Sequence, residues 1–145
     1  MARRLLASWG VVALAAPDVV VAADRLWAWL ATRWPGCSWR SEVPVMQALG
    51  TRLLSGRIDL VVEHEGGLAI LDHKTFPGGA DAWPARAAQA LPQLAAYAGA
   101  LSAATGRKVT TLAIHLPVAG VVLPFDAGEG WTAPFLATTS AGARE

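Results

Sequence analysis

Two apolar segments closed by a glycine turn constrain this chain more than any other feature. Gly56-Arg57-Ile58-Asp59-Leu60-Val61-Val62 and Leu68-Ala69-Ile70-Leu71-Asp72-His73-Lys74 are rich in β-branched and aliphatic residues, and Glu65-Gly66-Gly67 between them suits a tight turn. They predict an antiparallel hairpin. Each strand also carries an acid where an ordinary strand is apolar, Asp59 in the first and Asp72 in the second. A buried carboxylate is costly unless it is paired or holds a cation. If Glu65-Gly66 forms the turn, Asp59 faces Asp72; if Gly66-Gly67 forms it, Asp59 faces Lys74. Because side chains alternate, Asp72 and Lys74 share one face in either register, and Asp59 lies directly or diagonally beside them.

Two carboxylates and an amine so placed make a hard-oxygen site suited to Mg²⁺ or Mn²⁺, with the main-chain carbonyl of His73 as a further ligand. Such a site fits phosphodiester hydrolysis, in which a cation neutralises the phosphate and activates water. Lys74 would orient or deprotonate that water, or stabilise the developing charge. The residues alone leave a plainer alternative open: Asp59 and Lys74 form an ordinary cross-strand ion pair, and Asp72 is a hairpin-edge acid.

The flanking sequence extends the hairpin into a mixed α/β layer arrangement. From Asp18 to Trp34, Val21, Leu26, Trp27 and Leu30 fall near helical spacing, and Pro35-Gly36 ends that helix. A strand begins near Trp39. Beyond Pro77-Gly78-Gly79, the alanine-rich stretch Trp83 to Ala104 reads as helix, with Pro92 either starting a second helix or kinking one long one, and Gly106 as a stop. Val109 to Leu116 and Gly120 to Pro124 read as further strands. The order expected is helix, three-strand antiparallel meander, helix, strand, around a mixed central sheet.

Residues 1–17 form an apolar amino-terminal segment, 18–125 the core, and 126–145 a loose, Gly/Ala/Thr/Ser-rich tail. Arg3 and Arg4 before the apolar run Leu5 to Ala16 imitate a secretory leader, against the alternative of a buried helix or strand. No uninterrupted apolar stretch is long enough for a membrane span. With 54% hydrophobic and 16% charged residues, intrinsic disorder is excluded over most of the 145-residue chain. A net charge of +1 excludes a protein that grips phosphates by bulk charge, so something else delivers any DNA. Cys37, the only cysteine, excludes an internal disulfide and a zinc ribbon. Trp27, Trp29, Trp34, Trp39 and Trp83 read as core or partner-facing residues in preference to base-stacking platforms.

The order Ser41-Glu42-Val43-Pro44-Val45, Gly56-Arg57-Ile58-Asp59-Leu60, Leu71-Asp72-His73-Lys74-Thr75 and Gln93-Leu94-Ala95-Ala96-Tyr97 resembles the PD-(D/E)XK nuclease superfamily. Within it, the resemblance is to the RecB/AddA-type domain at the carboxyl end of helicase–nucleases, and it covers roughly Trp34 to Phe125. It implies a restriction-endonuclease-like core. Asp59 and Asp72 would be metal ligands, Lys74 the catalytic lysine, and Gln93 and Tyr97 a helical element over the site that contacts the DNA backbone. Glu42 would match the glutamate that precedes the metal strands. It further implies a cytoplasmic exonuclease working on DNA with a helicase domain or subunit in double-strand-break repair and recombination. The chain departs from that pattern: no histidine precedes His64, where family members carry one on an upstream helix, so the chain is expected to begin partway into the domain. No phosphate-binding loop for an ATP motor occurs. A catalytically weak lobe that binds DNA or a helicase is the competing expectation.

Overall fold

The computed structural model describes residues 1–8, 15–75 and 79–126. Two helices, α1 (Ala2–Ser8) and α2 (Ala16–Arg33), precede the sheet. Strands β1 (Ser38–Leu49), β2 (Arg52–His64) and β3 (Gly67–His73) follow as a meander, then a short 3₁₀ turn (Ala80–Ala82) and helix α3 (Trp83–Thr105), then β4 (Val109–Leu116) and β5 (Val121–Asp126). The five strands lie in chain order across one sheet, antiparallel except for β3 and β4, which run parallel. That parallel pair follows from the connection, because a helical crossover returns the chain to the same end of the sheet.

α2 starts with proline in its first turn, where the missing N–H costs nothing, and buries Leu26 and Leu30. These pack with Leu60, Val62, Ala69, Leu71 and Ala113 on one face of the sheet. α3 covers the other face, packing Ala87, Leu94, Tyr97, Ala100 and Leu101 against Val45, Ile58, Val61, Ile70, Leu112 and Ile114. It runs unbroken through the exposed Pro92, so that residue makes neither a second start nor a stop, and it ends at Gly106 in the left-handed conformation (φ 66°). Each fully buried aliphatic side chain contributes about 1.5–3 kcal/mol, so the two cores clamp the sheet from both sides.

The β2–β3 turn is Glu65-Gly66, with His64 opposite Gly67, so the first of the two expected registers holds, but the pairing stops at Leu60 opposite Leu71, one step short of Asp59 and Asp72. β5 exists as a full strand and runs to Asp126. The rest of the tail expected to be loose lies outside the described residues, as does much of the apolar run Leu5 to Ala16. No helix among the described residues is long and apolar enough to cross a membrane. The tryptophans mostly pack on neighbours: Trp27 stacks on Trp39 at 4.2 Å, Trp29 meets Trp34 edge-on, Trp34 stacks on His64, and Trp83 rests on the α3 core.

Candidate active site

β2 and β3 pair only as far as Leu60 opposite Leu71. Beyond that point β2 leaves β3 and continues with β1 as a two-stranded arm, so a fork opens at Asp59 and Asp72. The Asp59 side chain bridges the fork: its Oδ2 accepts the backbone N–H of His73 at 2.7 Å. A side-chain carboxylate thus takes the place of the next ladder bond. The plainer alternative, a cross-strand Asp59–Lys74 ion pair with Asp72 as an edge acid, is corrected here, because the ladder has ended before Asp59 and Lys74 pairs with Asp72.

Lys74 pairs instead with Asp72, Nζ to Oδ2 at 2.8 Å. Lys74 lies just past the end of β3, its backbone N–H donated to the His115 carbonyl at 2.9 Å. The Asp72 side chain is only 14% exposed. Its Oδ2 is buried and has no hydrogen-bond partner, so the close Lys74 ammonium meets it as an ion pair without hydrogen-bond alignment. The Lys74 ammonium compensates the charge of this largely buried carboxylate, whose oxygens are also the type a hard cation takes.

Glu42 turns away from these groups. Its carboxylate accepts from Arg57 Nη1 at 3.2 Å on the exposed side of the arm. Gln93 and Tyr97 stand together on α3, with Gln93 Nε2 donating to the Tyr97 hydroxyl at 3.0 Å. Tyr97 is buried, and its hydroxyl presses against Gly56, where any Cβ would collide with the ring. The pair therefore braces the arm three residues from Asp59.

A feature the sequence did not mark lies on the α2 face of the same strand ends. His73 and His115 stand opposite one another in the parallel β3–β4 ladder, with Nδ1 atoms 3.0 Å apart and rings at 75°. Burial, with the His73 ring beside it, pushes His115 down to about 4. Only the register of a parallel pair, which no local turn encodes, brings these two rings together.

A mixed sheet covered by a helix on each face, with two aspartates and a lysine gathered where neighbouring strands part, defines a restriction-endonuclease-like nuclease core. The chain belongs to the PD-(D/E)XK nuclease superfamily, whose family model matches residues 12–128. Among solved structures, SSO0001 is similar at 15% identity with a TM-score of 0.43, over 99% of this chain and 68% of that one. No curated protein matches.

Nucleases of this superfamily generally use divalent metal ions. The donors here fit such an ion: the Asp72 carboxylate beside Lys74, the Asp59 oxygen not engaged by His73, and the His73 carbonyl are all hard oxygens. Among the described residues no group of three or more His, Cys, Asp or Glu side chains converges, so water and substrate phosphate would complete the shell.

Proposed function

We propose that this chain is the Mg²⁺- or Mn²⁺-dependent nuclease core of a DNA exonuclease of the RecB/AddA type, hydrolysing phosphodiester bonds. The observation that carries the reading is the largely buried Asp72 carboxylate, ion-paired with Lys74 at 2.8 Å, at a fork that Asp59 bridges to the His73 N–H. Asp59, Asp72 and the His73 carbonyl would hold the cation, which when bound supplies charge neutralisation and a more acidic water. Lys74 orients that water and offsets charge developing on the phosphate. Gln93 and Tyr97 brace the arm, and Gln93, which is exposed, is the member of that pair available to the DNA backbone.

A net charge of +1 supports a division of labour in which a helicase domain or subunit delivers the strand in the cytoplasm during break repair and recombination. The second reading, a weak or inactive lobe binding DNA or a helicase, is favoured by one observation: among the described residues no group of three or more His, Cys, Asp or Glu side chains gathers to hold a metal ion.

Cleavage of end-labelled single- and double-stranded DNA with Mg²⁺ or Mn²⁺ decides between them. Metal-dependent cleavage that falls by about 10²–10³-fold in Asp72→Ala and Lys74→Ala is expected. Cleavage that persists in Asp72→Ala sinks the assignment, and metal binding without cleavage by the native chain leaves the weak-lobe reading standing.

A further inference from the structure

Glu42 has a left-handed backbone (φ 57°) in the middle of β1, and it is the one described residue other than glycine that does. Residues with a Cβ rarely adopt that conformation, and glutamate is not among those that tolerate it best. The surrounding ladder shows what the conformation does. β1 and β2 keep one register from Ser38 opposite Glu63 to Leu49 opposite Arg52, and the position missing from that series is Glu42 opposite Asp59.

The faces of both strands also change there. Trp39 stacks on Trp27 of α2, whereas Val43, four residues on, packs with the α3 core; regular alternation would put both on one face. In β2, Val61 and Ile58 both join the α3 core although three residues apart, while Leu60 and Val62 join the α2 core. Each strand therefore contains one residue outside the alternation. The two are opposite one another, so the register survives while both strands turn over.

We infer that Glu42 is a positioning residue for Asp59: its left-handed turn lifts Asp59 out of the β1–β2 ladder and lets the carboxylate swing across the fork to the His73 N–H. Asp59 lies past the last β2–β3 pair and in the gap of the β1–β2 series, so it belongs to neither ladder. That freedom lets its Oδ2 bond the neighbouring strand's backbone. The Glu42 carboxylate does not supply the effect, since it faces outward to Arg57 in an exposed pair. The backbone conformation at position 42 supplies it. A residue that accepts positive φ should replace Glu42, and a β-branched one should not. The functional part of this inference rests on Asp59 being a site residue.

The test compares Glu42→Gly, Glu42→Asn and Glu42→Val, with Arg57→Ala removing only the ion pair. Two readouts are taken: hydrogen exchange at the His73 amide in metal-free protein, and Mn²⁺-dependent cleavage. Gly, Asn and Arg57→Ala should stay within about twofold of the native chain in both, whereas Val should speed His73 exchange and lower cleavage by about 10–100-fold, the range for residues that orient metal ligands. Native-like exchange in Glu42→Val overturns the inference, as does loss of His73 protection in both Gly and Asn, which would make the carboxylate itself the agent. If Val does not fold, the Gly and Asn variants still decide the matter. If the native chain cleaves nothing but His73 exchange follows the series, the nuclease assignment fails and the positioning role stands.

Discussion

The β2–β3 hairpin has opposite chemistry at its two ends. At the turn, every polar group named has a partner. Arg107 donates to Glu63 at 2.7 Å and to the Gly67 carbonyl at 3.1 Å, and the Lys108 carbonyl accepts the Leu68 N–H at 2.8 Å. His64 accepts the Gly66 N–H on Nδ1, bonds Thr110 through Nε2 at 3.0 Å, and stacks on Trp34. Partial burial, then the charges of Arg107 and Arg33, hold His64 below its usual range, in the neutral form that those bonds require. At the fork the regular ladder stops: Asp72 is largely buried and ion-paired with Lys74, Glu42 carries a strained dihedral, and Asp59 substitutes for a ladder bond. Glu63 at the turn is paired in a half-exposed network, whereas Asp72 at the fork is paired where its side chain is only 14% exposed. Under the proposed function, a cation bound at the fork would share the Asp72 carboxylate with Lys74.

The largest contrast to test is therefore between Asp72 and Glu63. Asp72→Asn should lower metal-dependent cleavage by about 10²–10³-fold while moving the unfolding midpoint in denaturant little, because the ion pair it breaks leaves a Lys74 side chain that is 37% exposed and open to hydration. Glu63→Gln should do the reverse, with cleavage unchanged and stability lowered. Equal cleavage defects in the two variants would erase the distinction between the ends.

The next effect comes from the histidines behind the fork. His115 titrates at about 4 in the folded chain against an ordinary 6.5, so the unfolded chain binds more protons between those values. Stability is complete above pH 6.5 and is lost as pH falls from there to 4. At about 1.4 kcal/mol per unit the loss reaches at most about 3 kcal/mol. Denaturant unfolding at pH 7 and pH 4.5 should show this loss in the native chain and a flatter profile in His115→Gln. A native profile already as flat as the variant's would remove His115 from the account.

Gly56 tests how the arm beyond the fork is held. A Cβ there runs into the Tyr97 ring and hydroxyl, and overpacking of this kind costs about 1–3 kcal/mol. Gly56→Ala should lower the thermal midpoint accordingly. Pairing it with Tyr97→Ala should cost less than the two changes added, since the collision is then gone.

The hairpin and the first long helix were legible in the sequence because β2 and β3 are aliphatic-rich runs, Leu26 and Leu30 keep helical spacing, and Glu65-Gly66-Gly67 announces a turn. Which two of those three residues turn was not legible, since both choices suit the same glycines. The fork was half legible. Asp59, Asp72 and Lys74 stood out as polar residues in apolar strands, but their grouping as strand neighbours presumed a ladder that stops at Leu60 and Leu71. The left-handed backbone had no sequence mark, because glutamate, unlike glycine or asparagine, does not announce positive φ. The meeting of His73 with His115 depends on a crossover helix 23 residues long, beyond the reach of any local pattern.

The smallest expected effect belongs to Arg107, and it bears most directly on why one end needs no cation. Its side chain is 41% exposed and that of Glu63 33%, so solvent screens their attraction and the pair contributes at most about 1 kcal/mol. Arg107→Ala also strips a hydrogen bond from the Gly67 carbonyl, while Glu63 keeps Arg40 at 3.8 Å and so is not left without a counter-charge. The expected loss is about 0.5–1.5 kcal/mol in urea unfolding at low salt, shrinking at 1 M NaCl as the Debye length falls to about 3 Å. Cleavage should not change. A loss of cleavage in Arg107→Ala would mean that the turn transmits strain along β2 and β3 to Asp59 and Asp72, and that the two ends act as one unit.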